Sequence, residues 1–185
     1  MIEFLDAHDG TVTAIATSVL AIFTIILAYL AGCQIRDSRI LQRAYLNVEP
    51  RGIEPHVVDR GDRVHALIAI RNAGHLPARN VSWTVNIGWP EDHENLPLGK
   101  IEPSTGVLAA GAELITPTGP LFSKDVSNYI YVWGMVTYDD GFGGSRFTKF
   151  CHRYPSKEFI RVDEDITFEI PASTARYWPY GNDAS

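Results

Sequence analysis

Residues 11–35, TVTAIATSVLAIFTIILAYLAGCQI, contain no Asp, Glu, Lys, Arg or His. An α-helix rises about 1.5 Å per residue, so roughly 20 apolar residues cross the ~30 Å hydrocarbon core of a bilayer. The hydroxyls in this run can bond to the helix's own carbonyls and need no water. The stretch therefore reads as a transmembrane helix behind a short tail, 1–10, and everything after it reads as a domain held at a membrane surface.

The flanks orient the helix. MIEFLDAHDG ahead of it has three acids and no Lys or Arg, whereas Arg36, Arg39 and Arg43 follow within a few residues. Basic flanks stay on the cytoplasmic side, because the membrane potential and anionic lipids oppose their translocation. The expectation is an amino terminus outside and a cytoplasmic domain. A juxtamembrane helical extension, 36–43, would set Arg36, Arg39 and Arg43 at the membrane interface. One alternative reverses the sidedness. Leu30-Ala31-Gly32-Cys33 resembles a bacterial lipobox, and processing there would lipidate Cys33 and place the domain in the periplasm. The acidic flank and the length of the apolar run oppose it, since secretory signals carry a basic flank and a shorter apolar core.

Beyond residue 43 the chain holds 13 basic against 18 acidic residues, without a Lys/Arg run. That balance argues against a general nucleic-acid or anionic-lipid platform, which must neutralise phosphates, and leaves room only for a local basic patch. The two cysteines, Cys33 and Cys151, lie on different parts of the chain. They are unsuited to a disulfide, and a free Cys151 leans towards a reducing compartment.

From residue 44 the apolar pattern turns from helical to alternating. Residues 44–49 read as a strand closed by Pro50 and Gly52, with a second short piece at 53–58 and a turn at 59–62. In 63–71, Val64, Ala66, Ile68 and Ile70 share one face; in 81–87, Val81, Trp83, Val85 and Ile87 do. Short strands are expected at 107–108 and 114–116, around the Ala110-Gly111 turn. The strongest strand is 129–138: Ile130, Val132, Val136 and Tyr138 lie on one face, Tyr129, Tyr131, Trp133 and Met135 on the other. Gly134 within it suggests a bulge or a close backbone approach. Residues 139–144 turn it into 146–154, and a last strand at 166–170 stops at Pro171. Seven or eight short strands without a further amphipathic helix predict an all-β, immunoglobulin-like antiparallel sandwich over 44–171, with 172–185 as a tail packing on it.

Asn72-Ala-Gly-His-Leu-Pro-Ala-Arg-Asn-Val81 resembles the strand–loop–strand of bacterial immunoglobulin-like modules, N-x-G-x-x-P-A-x-N-V. The layout as a whole is similar to a class of uncharacterised bacterial single-pass membrane proteins. In these a membrane helix leads through an R-A-Y motif (here Arg43-Ala44-Tyr45) into such a sandwich. Two later stretches are similar as well. One is Tyr131-Val-Trp-Gly-Met-Val-Thr-Tyr-Asp-Asp-Gly-Phe-Gly-Gly-Ser-Arg-Phe-Thr-Lys-Phe-Cys151, and the other is the Asn182-Asp-Ala ending. The sequence departs from the class at Gly141, where an apolar residue is expected, and at Arg146, where a histidine is usual. The resemblance implies a fold and a bacterial inner-membrane location, but no activity.

The only cluster resembling a site is Asp139-Asp140 with Cys151-His152. Neighbouring strand residues point to opposite faces, so Cys151 and His152 cannot share a metal. The oxygen ligands of a calcium loop are missing. Gly141-Phe-Gly-Gly144 opens a strand, whereas phosphate-cradling loops open helices. No Gly-x-Ser-x-Gly elbow is present. Among the histidines, His8, His56, His75 and His93 read as surface residues, and His65 and His152 as hydrogen-bonded strand residues. The aromatics remain. If the outer face of 129–138 points outward, the carboxy-terminal tail could cover it, and an exposed remainder would form a protein-binding face. The candidate interaction surface is Tyr131, Trp133, Tyr177, Trp178 and Tyr180. The expectation is a non-enzymatic interaction or scaffold domain, tethered to the membrane, with a protein partner and neither cofactor nor metal. Two alternatives are an envelope domain lipidated at Cys33 and, more remotely, an enzyme using the 138–152 hairpin.

Overall fold

A computed structural model describes residues 9–55, 63–90, 96–99, 101, 106–122, 128–158, 160–161 and 168–184. The 59–62 turn, residues 56–58 and 166–167, and His8, His56 and His93 lie outside the described residues. The chain forms two units, Met1–Gln42 and Arg43–Ser185.

Among the described residues the first unit is one helix, α1 (Asp9–Gln42), about 50 Å long at 1.5 Å per residue. The Thr17, Ser18 and Thr24 hydroxyls donate to the Thr13, Ala14 and Leu20 carbonyls, each at 2.8 Å. Apolar side chains stand exposed all round it, Phe23, Ile25, Leu27 and Leu30 among them. The helix is long and apolar enough to cross a membrane.

The second unit is an antiparallel two-sheet sandwich, as the alternation predicts. Its strands are β1 (Leu46–Pro55), β2 (Arg63–Asn72), β3 (Arg79–Gly88), β4 (Glu113–Pro117), β5 (Leu121–Phe122), β6 (Tyr129–Asp139), β7 (Ser145–Pro155), β8 (Ile160–Arg161), β9 (Phe168–Pro171), β10 (Arg176–Tyr177) and β11 (Asp183–Ala184). One sheet runs β4-β2-β1-β9-β8, with β5 also against β2. The other runs β10-β7-β6-β3, with β11 also against β7. The inward residues named from the sequence meet in one core, where Val64, Ala66, Ile68 and Ile70 of β2 face Ile130, Val132, Val136 and Tyr138 of β6.

β1 is a single strand where the sequence suggested two. A register shift between Pro50 and Gly52 absorbs Arg51 as a bulge. Pro50 lies opposite Ile68, and alternate β2 residues (Ala66, Asn72) turn their backbone groups to the β4 side. The missing proline N–H therefore removes no ladder bond. Gly52 takes the positive φ of 109° that the bulge needs.

Gly134 marks a close approach rather than a bulge, because its register to Val85 and Phe150 is unbroken. A Cβ there would collide with the Thr84 carbonyl and lie 2.9 Å from the Phe150 ring.

The chain enters the sandwich at a tightly bonded corner. Asn72, fully buried, uses its whole amide. Its Oδ1 accepts from Tyr45 N (3.3 Å) and Gly74 N (3.0 Å), and its Nδ2 donates to the Leu76 (2.8 Å) and Leu108 (3.1 Å) carbonyls. A Cβ on Gly74 would strike the Arg43 carbonyl. Ala44 N donates to the Asp140 carbonyl at 3.1 Å, and Thr148 Oγ1 donates to the Leu46 carbonyl at 2.9 Å. The Asn72–Val81 motif is thus a structural device, with its second asparagine, Asn80, at φ 51°.

Candidate functional site

Period-two alternation gives β6 a second apolar row, Tyr131 and Trp133, directed away from the sheet interface. Cys151 of β7 lies opposite Trp133. These three side chains are buried together, with Leu96 and Trp178 packed against them. Tyr131 and Trp133 are only 4% and 7% exposed, so neither belongs to the surface for which the sequence nominated them. Their cover is specific. Trp133 Nε1 donates to the Pro97 carbonyl at 2.9 Å, and the Trp178 ring meets Tyr131 edge-on at 5.6 Å.

The cover is held as a strap along the free edge of β7. β10 pairs Arg176 and Tyr177 with Arg153 and His152, and β11 pairs Asp183 and Ala184 with Lys149 and Thr148. Between these ladders the chain loops over Cys151. Trp178 N donates to the Cys151 carbonyl and Asn182 Oδ1 accepts from Cys151 N, both at 3.0 Å. Asn182 Nδ2 closes the loop onto the Trp178 carbonyl. Gly181, at φ 77°, passes so close that a Cβ would sit 3.3 Å from Cys151 Cβ.

What reaches solvent is the strap itself. Tyr177 is 62% and Tyr180 45% exposed, Trp178 partly so. The Arg153 guanidinium lies 4.7 Å from the Trp178 ring and 5.1 Å from Tyr129, a cation–π stack at the rim. A cleft of about 510 Å³ opens on one side of the strap, lined by Tyr45, Asn47, Lys149, Tyr177 and Asp183 among others. A smaller one of about 240 Å³, lined by Leu96, Leu98, Trp133 and Asn182, opens on the other. Sequence reasoning missed Arg153, Pro97 and Asn182. An arginine within an aromatic-rich strand was the only available signal for the first.

The hairpin cluster separates into unrelated parts. Asp140 is buried at the turn, where its Oδ1 accepts from Phe142 N (2.9 Å) and Gly144 N (3.1 Å) and its Oδ2 from Arg146 Nε (3.0 Å). Burial pulls its pKa up, but these donors outweigh it and hold the carboxyl below its ordinary range. Arg146, the departure from the usual histidine, thereby becomes the partner of that carboxylate. Asp139 accepts from Asn80 Nδ2 at 2.6 Å.

Cys151 is fully buried, and burial pushes its thiol up to about 12, so it is no nucleophile at neutral pH. His152 faces the other way, fully buried between Phe150 (5.6 Å) and Tyr177 (4.9 Å). Contrary to expectation, neither ring nitrogen has a hydrogen-bond partner among the described residues. Burial lowers its pKa to about 4. Also among the described residues, no three His, Cys, Asp or Glu side chains gather as metal ligands.

Of the remaining nominated residues, Arg36 and Arg39 lie in the last turns of α1, Arg36 4.0 Å from Asp37 in an exposed ion pair. Arg43 begins the second unit. Cys33 lies within α1, which continues without a break to Gln42.

A family model described as "Domain of unknown function (DUF8453)" matches residues 12–158. No curated protein and no solved structure matches the chain.

Proposed function

The chain belongs to the DUF8453 family, and we propose that it is a membrane-tethered, non-enzymatic interaction or scaffold module. In this reading α1 spans the inner membrane of a bacterium with its amino terminus outside, and the sandwich faces the cytoplasm. The orientation rests on Arg36, Arg39 and Arg43 following the span, where the opposite flank is acidic. An immunoglobulin-like connectivity is supported by the strand order, which places β1, β2 and β4 in one sheet and β3, β6 and β7 in the other.

The observation that carries the interaction role is the strap, whose Tyr177, Trp178 and Tyr180 present an aromatic rim beside two clefts. Tyrosine and tryptophan bury large amphipathic area at low entropic cost and dominate protein-binding surfaces. In contrast, the ionisable groups of the hairpin are committed to structure: Asp140 to its own turn, Cys151 to the cluster under the strap.

Capture of cross-linked neighbours by the full chain in membranes tests the role. Tyr177→Ala with Tyr180→Ala is expected to lose the partner while the fold persists. Unchanged capture, or a turnover that depends on Asp140 or His152, overturns it. Sidedness needs an accessible thiol, because Cys151 is buried. Tyr180→Cys is expected to be protected from an impermeant maleimide in spheroplasts, and labelling there would place the domain outside.

A further inference from the structure

The end of the sandwich where the chain enters has a surface chemistry of its own. β1, β3, β4 and β7 start at the end where the chain enters, and β2 and β6 return to it. Three connections therefore meet at that end: 73–78, 106–112 and 140–144. They brace one another, with Ala78 paired to Leu108, Leu76 against Gly141, and Ala44 N on the Asp140 carbonyl.

Read as sequence, they are Ala73-Gly-His-Leu-Pro-Ala78, Gly106-Val-Leu-Ala-Ala-Gly-Ala112 and Asp140-Gly-Phe-Gly-Gly144. Their only ionisable groups are His75 and the buried Asp140. Phe142 is 44% and Val107 64% exposed, and Ala109 and Ala110 are exposed beside them. Arginines surround these tips: Arg71 and Arg79 are exposed, Arg43 and Arg146 partly so. Carboxylates of the same region are engaged, Glu113 with Arg51, Asp139 with Asn80 and Asp140 with Arg146, and Glu49, which shares a cleft with Arg71 and Gly74, accepts from Asn47 Nδ2 at 3.4 Å.

Apolar tips ringed by guanidinium groups, with carboxylates kept back, match a lipid–water boundary. The tips enter the acyl border, the arginines meet phosphates, and free acids stay away. We propose that this rim, with Phe142 and Val107 at its tips, docks into the headgroup layer of the bilayer that α1 crosses. The proposal rests on the reading of α1 as a membrane span. Connectivity permits it, because only three residues, 43–45, separate Gln42 from Leu46, at most about 14 Å of extended chain.

The test uses the full chain in nanodiscs of phosphatidylethanolamine and phosphatidylglycerol. Cys33 is replaced by serine and the buried Cys151 is left in place. Nitroxide labels at Phe142→Cys and Val107→Cys are compared with Ile25→Cys in α1 and with Lys157→Cys, exposed just past β7. Accessibility to oxygen against a nickel chelate reads depth. The labels at 142 and 107 are expected to sit within roughly 5–10 Å of the headgroup–acyl boundary, with the label at 157 in water. Arg71→Glu with Arg79→Glu should return the 142 label to the aqueous value without moving the label at 25. If 142 and 107 are as aqueous as 157 while 25 is lipid-exposed, the rim proposal fails and the tether stands; that result would redirect attention to a protein partner at the rim. If 25 is itself aqueous, the tether fails and the rim with it.

Discussion

β6 is buried on its inner face and, at Tyr131 and Trp133, on its outer face too, but the two are closed by different means. The inner face, Ile130 to Tyr138, meets a second sheet in which β1 and β2 pair at nine positions, while β6 itself pairs with β7 at eleven. The outer face, Tyr131 and Trp133, is closed by Leu96, Pro97 and a strap held through two two-residue ladders and the Trp178–Asn182 loop. Burial alone does not separate a core from a covered surface; the length of the ladder holding the cover does. Short ladders open locally at low free energy, without global unfolding. The outer face should therefore behave as a separable layer.

The largest blow to that contrast is one that strikes the sheet itself. Gly134→Val should cost roughly 4 kcal/mol or more, because the added carbons meet the Thr84 backbone and the Phe150 ring. Loss of the cooperative transition in circular dichroism would show it, and a native melting point would refute the close-approach reading. Ile130→Ala, confined to the inner face, should cost about 3 kcal/mol as a shift in denaturant midpoint.

His152 lies under the strap but on the inner side, and its titration sharpens the comparison. Its folded pKa, about 4, lies below the ordinary value of 6.5, so in that interval the unfolded chain binds the proton first. Stability is therefore complete above pH 6.5 and drains as pH falls towards 4, by up to ~3 kcal/mol. His152→Phe should flatten that slope. An unchanged pH profile would mean that the ring finds a partner in solution.

Smaller effects belong to the outer layer. Trp178→Ala should cost about 1–2 kcal/mol globally, yet speed modification of Cys151 and exchange of its amide far more than Ile130→Ala does at equal stability. Asn182→Ala should cost about 1 kcal/mol with the same local signature. If either variant instead lowers the whole domain in step with Cys151 reactivity, the two faces are one cooperative unit.

The division between β6 faces was legible from the sequence, because period two fixes which side chains share a row. Alternation reports the side of the sheet, however, and not solvent, which is why Tyr131 and Trp133 were assigned to a surface they do not form. Their burial depends on Trp178, 45 residues beyond Trp133 in the chain, and no local pattern records that pairing. β1 was divided in two because Pro50 and Gly52 are turn residues in most settings, and only the β2 register makes them a bulge. Asn72 stood out as a motif residue. That it satisfies four backbone groups needed the positions of Tyr45, Leu76 and Leu108. The Asp140 turn was legible as local turn chemistry, but the Arg146 pairing was not.

The corner where the chain enters the sandwich also has a mechanical consequence. Any tension carried by α1 reaches the domain at residues 44–46, whose backbone is held by Asp140, Asn72 and Thr148, residues from three separate parts of the fold. Behind them the β1–β2 ladder lies crosswise to a pull along β1, so its bonds are sheared together rather than unzipped one at a time. A domain tied this way yields late and all at once under a pull on its amino-terminal end.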